Sequence, residues 1–468
     1  MKKTLCILFS LFLLLAAFGC ASAKEDIAVN DTGIWENEPV NVTTIVPTMP
    51  PETSEPVSEA TSEATTEATI TTSATTTTVT TTTVAMTTTA AMTMAPAAED
   101  KVLADGVKTP EATVAMPLPP TPGEKPEVQV GAGMLTAGEW KDLDDIPFWT
   151  KLLNDNDWYK LMESRALFAN KIVPVKVTDR NGNPCFNIPV ILKDTDSKEV
   201  YKAMTDVNGM AYLLYALDNS KQEAKCVNVG GTDYDIVKDG ETVIAIDSAA
   251  VGVKQLDLLF MIDTTGSMSD ELTYLQAELR DVIRKVAQSG EAFAINLSVN
   301  FYRDTGDEYV VRSFEFTNDI DKAISQLSEQ RAAGGGDYAE AVHLALEDVV
   351  NNHQWRDDSV KLCFMVLDAP PHTDREIKGI DNRMQTTVMS MAETGIRFIP
   401  IASSGVDTET EFLLRSWAVM TGGTYTFLTN HSGIGNSHLE PTIGEYEVEK
   451  LNDLLVRVIS EYCGMRKQ

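Results

Sequence analysis

The 468-residue sequence is poor in positive charge and in histidine. It has 38 lysines and arginines against 69 acidic residues, a formal net charge of −31, and five histidines. Nucleic-acid binding requires clustered basic residues that contact phosphates, so this composition argues against a nucleic-acid partner. The HExxH, Walker A, GxGxxG and GxSxG patterns of common enzyme classes are also absent. The excess of acidic residues suits a surface protein that meets cations.

Cysteine is sparse for a secreted chain. Of the six cysteines, Cys6 and Cys20 lie near the N-terminus, and none shows the CxxC spacing of a zinc site. The others are Cys185, Cys226, Cys363 and Cys463. A chain of this length can bury a core without disulfide bonds. The sequence therefore leaves two alternatives open for Cys185 and Cys226: a disulfide bond between them, or two buried free thiols.

Long apolar runs are absent after residue 18. The run from Leu5 to Phe18 follows two lysines and is shorter than the about 20 residues of a transmembrane helix, so residues 1–23 are typical of an export signal. Residues 17–20, Ala-Phe-Gly-Cys, resemble a bacterial lipobox, which predicts lipidation of Cys20 and a membrane anchor. Residues 21–23, Ala-Ser-Ala, resemble an ordinary signal-peptidase site, which is the alternative. Both alternatives predict an extracytoplasmic protein.

The segment 24–130 lacks the apolar residues that a folded core needs. From about Thr43 to Pro126 it is dominated by Thr, Ala, Pro, Glu and Ser. Such a tract buries too little apolar surface to offset the entropy of ordering, so it is predicted to be a disordered stalk. A stalk of this kind would lift a folded domain away from a membrane anchor.

Aromatic residues return in the segment 131–168. Residues 135–140 lead into Trp149, Trp158 and Leu161, and the segment is predicted to be helical. We expect its aromatic side chains to brace the following domain; a ligand-binding aromatic patch is the alternative.

Residues 169–250 show the short alternating strands of a small β-sandwich. Strands are predicted at Ile172–Val177, Ile188–Leu192 and Ala211–Leu214, with turns at Asp179–Gly182 and Asp206–Gly209. The strings VTDRNGNP, VILKD and TDVNGMAYL resemble the carboxypeptidase-regulatory-like and immunoglobulin-like domains of bacterial surface proteins. That resemblance implies a spacer or an adhesion unit and no peptidase.

Residues 251–468 alternate apolar strands with amphipathic helices. The apolar runs Leu256–Ile262, Leu362–Leu367 and Ile396–Ala402 are typical of parallel strands buried on both faces. Helices are predicted at 268–286, 320–327, 339–350, 384–392 and 411–420. This pattern predicts a doubly wound α/β domain with a mostly parallel sheet, in which ligands bind beyond the carboxyl ends of the strands.

Oxygen-bearing side chains follow the first of these strands. Asp263, Thr265 and Ser267 stand at alternate positions in a single loop. Mg²⁺ takes about six oxygen ligands, several of them water, so one carboxylate and two hydroxyls make a suitable half-shell. Capping of the following helix is the alternative role for Asp263, and capping of a turn is the alternative for Asp368.

Two further loops add oxygen atoms at the same predicted edge of the sheet. One is GGGDYAE, residues 334–340, and the other is LDAPPH, which contains Asp368. Together with Asp263-Thr-Thr-Gly-Ser267 they resemble the metal-ion-dependent adhesion site of von Willebrand factor A domains. The same strings, with FYRDTGDEY at residues 301–309, are similar to a bacterial surface group that pairs this domain with an upstream β-sandwich.

The resemblance implies a site for Mg²⁺, or for Mn²⁺ or Ca²⁺. Its ligands would be Asp263, Thr265, Ser267, Asp337 and Asp368. Integrin-like members place a threonine in the second loop, where this chain offers Gly336 or Asp337, and we assign Asp337. Asp304, Gly336 and His372 are predicted to form the rim, with an exposed acidic loop as the alternative for Asp304 and a structural or solvent-facing role as the alternative for His372.

The function implied by this site is metal-dependent binding rather than catalysis. The partner would be a protein or glycan whose carboxylate completes the metal shell. A structural cell-envelope scaffold with a silent or fold-stabilising metal site is the alternative, and a metal-dependent hydrolase is a further one. Haloacid-dehalogenase-type phosphatases need a second carboxylate two residues after the first, where this chain has Thr265.

Overall fold

The computed structural model describes residues 130–248, 252–289 and 293–465. The predicted export signal, Cys20 and all but the last residue of the predicted stalk lie outside these ranges. The strands are β1 (Thr136–Trp140), β2 (Ile172–Asp179), β3 (Pro189–Asp194), β4 (Glu199–Met204), β5 (Met210–Leu214), β6 (Ala224–Val229), β7 (Thr232–Asp235), β8 (Thr242–Ile246), β9 (Gln255–Asp263), β10 (Ala294–Tyr302), β11 (Val311–Arg312), β12 (Val360–Leu367), β13 (Ile396–Ala402), β14 (Tyr425–Leu428) and β15 (Glu449–Lys450). The helices are α1 (Ile146–Leu153), α2 (Asn156–Ser164), α3 (Leu272–Ser289), α4 (Ile320–Ser328), α5 (Val342–Asn351), α6 (Ile380–Thr394), α7 (Thr408–Thr421) and α8 (Leu451–Tyr462). Within the described ranges, none of the helices combines the length and the apolar character needed to cross a membrane.

The largest sheet confirms the predicted fold class. Its strand order is β11-β10-β9-β12-β13-β14-β1-β15. The five strands from β10 to β14 in this order run parallel, while β11, β1 and β15 are antiparallel to their neighbours. A mostly parallel sheet with helices on both faces is a doubly wound α/β architecture.

The central strands are buried because helices cover both of their faces. Successive side chains of a strand point to opposite faces. In β9, Leu259 and Met261 belong to the apolar cluster that includes residues of α5, α6 and α7. Leu258 and Phe260 belong to the cluster that includes residues of α3, α4 and α8. This packing explains the continuous apolar runs in the sequence, and it fixes the strand ends that carry the polar loops.

The segment upstream of the small sheets departs from its predicted structure. The prediction of a helix from about residue 131 is wrong for Thr136–Trp140. These residues form β1, between β14 and β15 of the large sheet. These five residues include only one strongly apolar side chain, so no hydrophobic run marked them as a strand. Gly138 leaves room for Phe427, whose ring lies 2.5 Å from where a Cβ on residue 138 would stand. The large sheet therefore includes a strand from outside residues 251–468.

The aromatic residues of helices α1 and α2 pack against α7 of the large domain, which is not the domain that directly follows them in the sequence. The rings of Trp158 and Phe412, a residue of α7, meet edge to face with centroids 6.1 Å apart. The Arg415 guanidinium, also from α7, lies 5.2 Å from the ring centroid of Trp149 and 5.1 Å from that of Trp158. Asp142 accepts from Nε and Nη2 of Arg415 at 2.9 and 2.6 Å. The two tryptophans are buried in this contact, so they do not form an open ligand-binding patch.

Two small sheets lie between residues 172 and 246. Their strand orders are β5-β2-β8 and β4-β3-β6-β7. The three strands predicted here are present, with ends that differ by at most two residues. The two predicted turns are held by Asp179 and Asp206, whose Oδ1 atoms accept from the backbone N–H groups two residues later. Inward-facing residues of both sheets, such as Val175 and Leu192, share one apolar cluster.

The small sheets dock on the large domain through β4. The Tyr201 hydroxyl donates to the Met420 carbonyl at 2.7 Å, and Lys202 forms an ion pair with Glu393 of α6 at 2.7 Å. The cysteines of the folded part, Cys185, Cys226, Cys363 and Cys463, are free and buried. The free-thiol alternative for Cys185 and Cys226 is therefore confirmed.

Candidate metal centre

The candidate site lies where the direction of strand order reverses. β9 stands between β10 and β12, and all three run parallel, so the loops that follow them meet at the same edge of the sheet. Asp263 is the last residue of β9, and Asp368 directly follows β12. Ligands of doubly wound sheets bind in the crevice at such a switch point.

The first loop brings together the three oxygen donors that the sequence predicts there. Oδ1 of Asp263 accepts from the backbone N–H of Thr265 at 2.8 Å and from its hydroxyl at 2.7 Å. The hydroxyls of Thr265 and Ser267 lie 3.1 Å apart. Asp263 is fully buried, and its other oxygen, Oδ2, has no hydrogen-bond partner. The loop thus fixes one oxygen of this carboxylate, while the buried Tyr302 hydroxyl also interacts with the carboxylate and Oδ2 keeps no close partner.

Backbone hydrogen bonds tie the first loop to the second. Gly266 N–H donates to the Gly334 carbonyl at 3.0 Å, and Ala333 N–H donates to the Thr264 carbonyl at 3.0 Å. Arg303 reinforces the pair, because its Nε donates to the Thr264 carbonyl at 3.1 Å and its Nη2 to the Arg331 carbonyl at 2.8 Å. The two loops are therefore held in one arrangement.

The third loop is tied to the second loop and to the upstream helices. Glu340 N–H donates to the Pro370 carbonyl at 3.0 Å. Arg165, which follows α2, donates from Nη1 to the His372 carbonyl at 2.9 Å and from Nη2 to the Pro371 carbonyl at 3.1 Å. The brace thus supports the loop that carries Asp368, a link that sequence reasoning missed.

Asp368 faces the first loop across the switch point. It is buried, and its Oδ1 has no hydrogen-bond partner. Burial raises the pKa of the Asp368 carboxyl, and the neighbouring Glu271 and Asp270 add to the rise, whereas a hydrogen bond from Ser267 opposes it. Burial also raises the pKa of Asp263, as does the charge of Asp368. The negative charge of Asp368 therefore disfavours ionisation of Asp263.

Glu340 is a third buried carboxylate at this edge, and it was not among the predicted ligands. Its side chain is almost fully buried, and Oε2 has no hydrogen-bond partner. Burial, followed by the charges of Asp263, Asp304 and Asp368, raises the pKa of Glu340 to about 9. Glu340 is the last residue of the motif GGGDYAE, which was the sequence feature that could have indicated it. Glu340 is buried whereas Asp337 is exposed, and the sequence of the motif does not show this difference.

Two of the predicted rim residues, Asp304 and His372, lie close to Asp337, a predicted ligand. One ligand atom each from Asp304, Asp337 and His372 lie within 4.8 Å of one another, and His372 Nε2 is 2.9 Å from Oδ1 of Asp304. Asp304 is 8% exposed and His372 is 9% exposed, so neither side chain faces solvent, and a structural role for His372 remains the alternative to a place at the rim. Asp337 is exposed, and Gly336 has no atom within 4 Å of where its Cβ would stand.

Three buried carboxylate oxygens without a hydrogen-bond partner indicate which kind of ligand this edge of the sheet suits. In the described part of the chain, the buried carboxylate oxygens that lack a hydrogen-bond partner belong to Asp263, Glu340 and Asp368. Buried charges are normally paired or bound to metal, because an unpaired carboxylate loses its hydration without compensation. Carboxylates and hydroxyls are the ligands that Mg²⁺, Mn²⁺ and Ca²⁺ prefer. The residues present therefore fit a divalent cation.

The raised pKa values predict an unusual pH dependence of stability in the absence of cations. These carboxyl groups stay protonated to higher pH in the folded protein than in the unfolded chain. Their contribution to the free energy of unfolding is therefore fully present below the ordinary pKa of a carboxyl group. It is lost as the pH rises toward about 9, the value for Glu340. In EDTA, we expect a higher melting temperature at pH 5.5 than at pH 8. Saturating Mg²⁺ should weaken this trend, as should Glu340→Gln, and a higher melting temperature at pH 8 in EDTA would contradict it.

Comparisons with known proteins identify one domain of this chain. The family model of the von Willebrand factor A domain matches residues 257–425. Over 120 residues, 25% of this chain, the protein is 32% identical to the ariadne-like RING finger protein R811 of Acanthamoeba polyphaga mimivirus. It is 27% identical over 120 residues to the alpha-protein kinase vwkA of Dictyostelium discoideum. The match spans 11% and 19% of the length of these two relatives.

Solved structures match as well. The conserved hypothetical protein BatB from Bacteroides thetaiotaomicron is 10% identical, with a TM-score of 0.31, and the match covers 45% of this chain and 99% of that one. The family match coincides with the strands and loops of the switch point, since it begins within β9 and ends at the first residue of β14. Residues 257–425 of this protein are a von Willebrand factor A domain.

Proposed function

We propose that this domain is a cation-dependent binding module that acts outside the cell. The observation that carries the proposal is the set of orphaned oxygens on Asp263, Glu340 and Asp368. Asp263, Thr265, Ser267 and Asp368 would hold Mg²⁺ or Mn²⁺, and Asp337 is the second-loop donor expected from the sequence. When bound, the cation supplies an open coordination position that accepts an oxygen atom of a partner.

The protein's own residues prepare this position. Thr265 orients the carboxylate of Asp263 through two hydrogen bonds, and Arg303 holds the loop backbone around it. Arg165 holds the backbone that follows Asp368. A binding site that is organised in advance loses less entropy when the partner arrives. The partner would be a protein or a glycan that offers a carboxylate.

The extracellular part of the proposal depends on the N-terminal sequence. The apolar run Leu5–Phe18 and the lipobox-like residues around Cys20 support export and a lipid anchor, and the Thr-rich segment would hold the domain away from the membrane. Palmitate labelling that disappears in a Cys20→Ser variant is the observation that checks the anchor. Retention of the label would contradict it.

Calorimetric titration of the EDTA-treated protein with Mg²⁺ and with Mn²⁺ tests the cation site. We expect saturable binding of each cation and a higher melting temperature on saturation, because a ligand that binds only the folded state stabilises it. A second addition of EDTA should reverse both effects. Absence of binding would contradict the proposal and favour a structural scaffold with a silent site.

A further inference from the structure

Glu340 occupies a fixed position between the second and third loops. Its N–H donates to the Pro370 carbonyl, and its backbone pairs with Pro371 in an isolated parallel bridge. The residue precedes helix α5, which packs in the apolar core through Val342 and Ala345. The backbone of Glu340 is therefore anchored from both sides.

The side chain of Glu340 lies against the first loop. A Cβ on Gly335 would stand 2.9 Å from Glu340 Oε1 and 3.3 Å from the Cβ of Thr265, so Glu340 and Thr265 flank the same glycine. Gly335 also has a φ of +73°, a conformation that favours glycine. Gly335 thus leaves the space in which the buried carboxylate sits.

Asp337 is placed differently. Its side chain is exposed, and one of its oxygens lies within 4.8 Å of ligand atoms of Asp304 and His372. Asp304 and His372 already bond each other at 2.9 Å. No buried, unpartnered oxygen of Asp337 is found within the described residues, whereas Glu340 Oε2 is both buried and unpartnered.

We infer that Glu340, rather than Asp337, supplies the second-loop ligand. The ligand atoms of Asp263, Glu340 and Asp368 do not all lie within 4.8 Å of one another, so the Glu340 side chain would move toward the cation as a third carboxylate. The inference rests on the proposed function, and it names the second-loop donor of that site. Three carboxylates exceed the charge of a divalent cation by one. The third carboxylate therefore tightens cation binding and weakens the attraction of the metal for an acidic partner.

A comparison of Glu340→Gln with Asp337→Asn tests this inference in the whole protein. Both variants replace a carboxylate by its amide, and the two residues lie three positions apart in one loop. We expect Glu340→Gln to weaken Mg²⁺ and Mn²⁺ binding by at least about tenfold, since loss of even an outer-shell partner commonly has that effect. We expect Asp337→Asn to stay within about threefold of the unmodified protein, as an exposed charge near the site is screened by solvent.

Glu340→Asp separates direct ligation from a general effect of charge. This variant keeps the negative charge but withdraws the carboxylate by one methylene group, so a direct ligand should lose affinity and a remote charge should not. Melting temperatures in EDTA establish that each variant is folded. Unchanged affinity in Glu340→Gln or in Glu340→Asp would overturn the inference, as would an equal or larger loss in Asp337→Asn. These outcomes leave the proposed function standing, whereas failure of the unmodified protein to bind a cation removes both.

Discussion

A chain that begins at residue 169 will not form the stable von Willebrand factor A domain, although it retains every residue of the family match. It lacks β1, which lies between β14 and β15 in the large sheet. Four residues of β1 pair with β14. The buried side chains of Leu135 and Ala137 are also lost from the core that includes α3 and α8. The truncation thus opens the sheet and exposes apolar surface.

The truncation also removes the side chains that surround the buried guanidinium of Arg415. Arg415 is fully buried between Trp149 and Trp158, and two of its nitrogens are bound by Asp142. Its remaining carboxylate partner is Glu411, at 2.9 Å. Removal of one member of a buried ion pair costs about 3–5 kcal/mol, which is a large part of the stability of an ordinary domain.

Thermal and urea unfolding of two truncated chains tests this expectation. The chain from residue 169 should lack a cooperative transition, while a chain from residue 130 should unfold like the full-length protein. Arg415→Met in the full-length protein should lower the melting temperature by about 10 °C, given the cost of an unpaired buried carboxylate. A cooperative transition of normal height in the chain from residue 169 would show that the upstream segment is dispensable.

Asp263→Asn will remove cation binding and at the same time stabilise the cation-free protein. The substitution takes away a carboxylate that binding would use, and we expect the affinity for Mg²⁺ and Mn²⁺ to fall by more than about a hundredfold. Without a cation, however, the same carboxylate is buried with one orphaned oxygen and is repelled by Asp368. Relief of this repulsion should raise the melting temperature in EDTA at pH 8.

Asp270→Asn is the matched control for this variant. Asp270 is an exposed carboxylate in the same loop region, hydrogen-bonded to Asn436 at 3.0 Å. Its loss should change cation affinity by less than about threefold, because solvent screens exposed charges. A purely structural role for Asp263, such as helix capping, predicts the opposite stability result, with Asp263→Asn less stable in EDTA and cation binding retained.

The sequence predicted those strands whose apolar composition reflects burial on both faces. β9, β12 and β13 are apolar on both faces, since helices cover both faces, and their predicted ends agree closely with the structure. The segment Thr136–Trp140 carries no such signal. It is short, includes a glycine and a glutamate, and owes its strand conformation to β14 and β15 on either side. Tertiary pairing of this kind overrides local propensity.

The candidate site was predictable to the extent that its residues follow strands directly. Asp263 and Asp368 end or follow parallel strands, so the topology brings them together. The second loop instead precedes a helix, and its acidic residues, Asp337 and Glu340, differ in burial rather than in type. The support from Arg165 was also hidden, because more than 200 residues separate it from the carbonyls of Pro371 and His372.

Anomalous X-ray scattering from crystals of the protein soaked in Mn²⁺ tests the central claim most directly. A cation held at the switch point should give a peak about 2 Å from oxygens of Asp263, Glu340 and Asp368, and no such peak should appear at this position in Asp263→Asn crystals. A peak confined to Asp304, Asp337 and His372, or no peak at saturating Mn²⁺, would contradict the account.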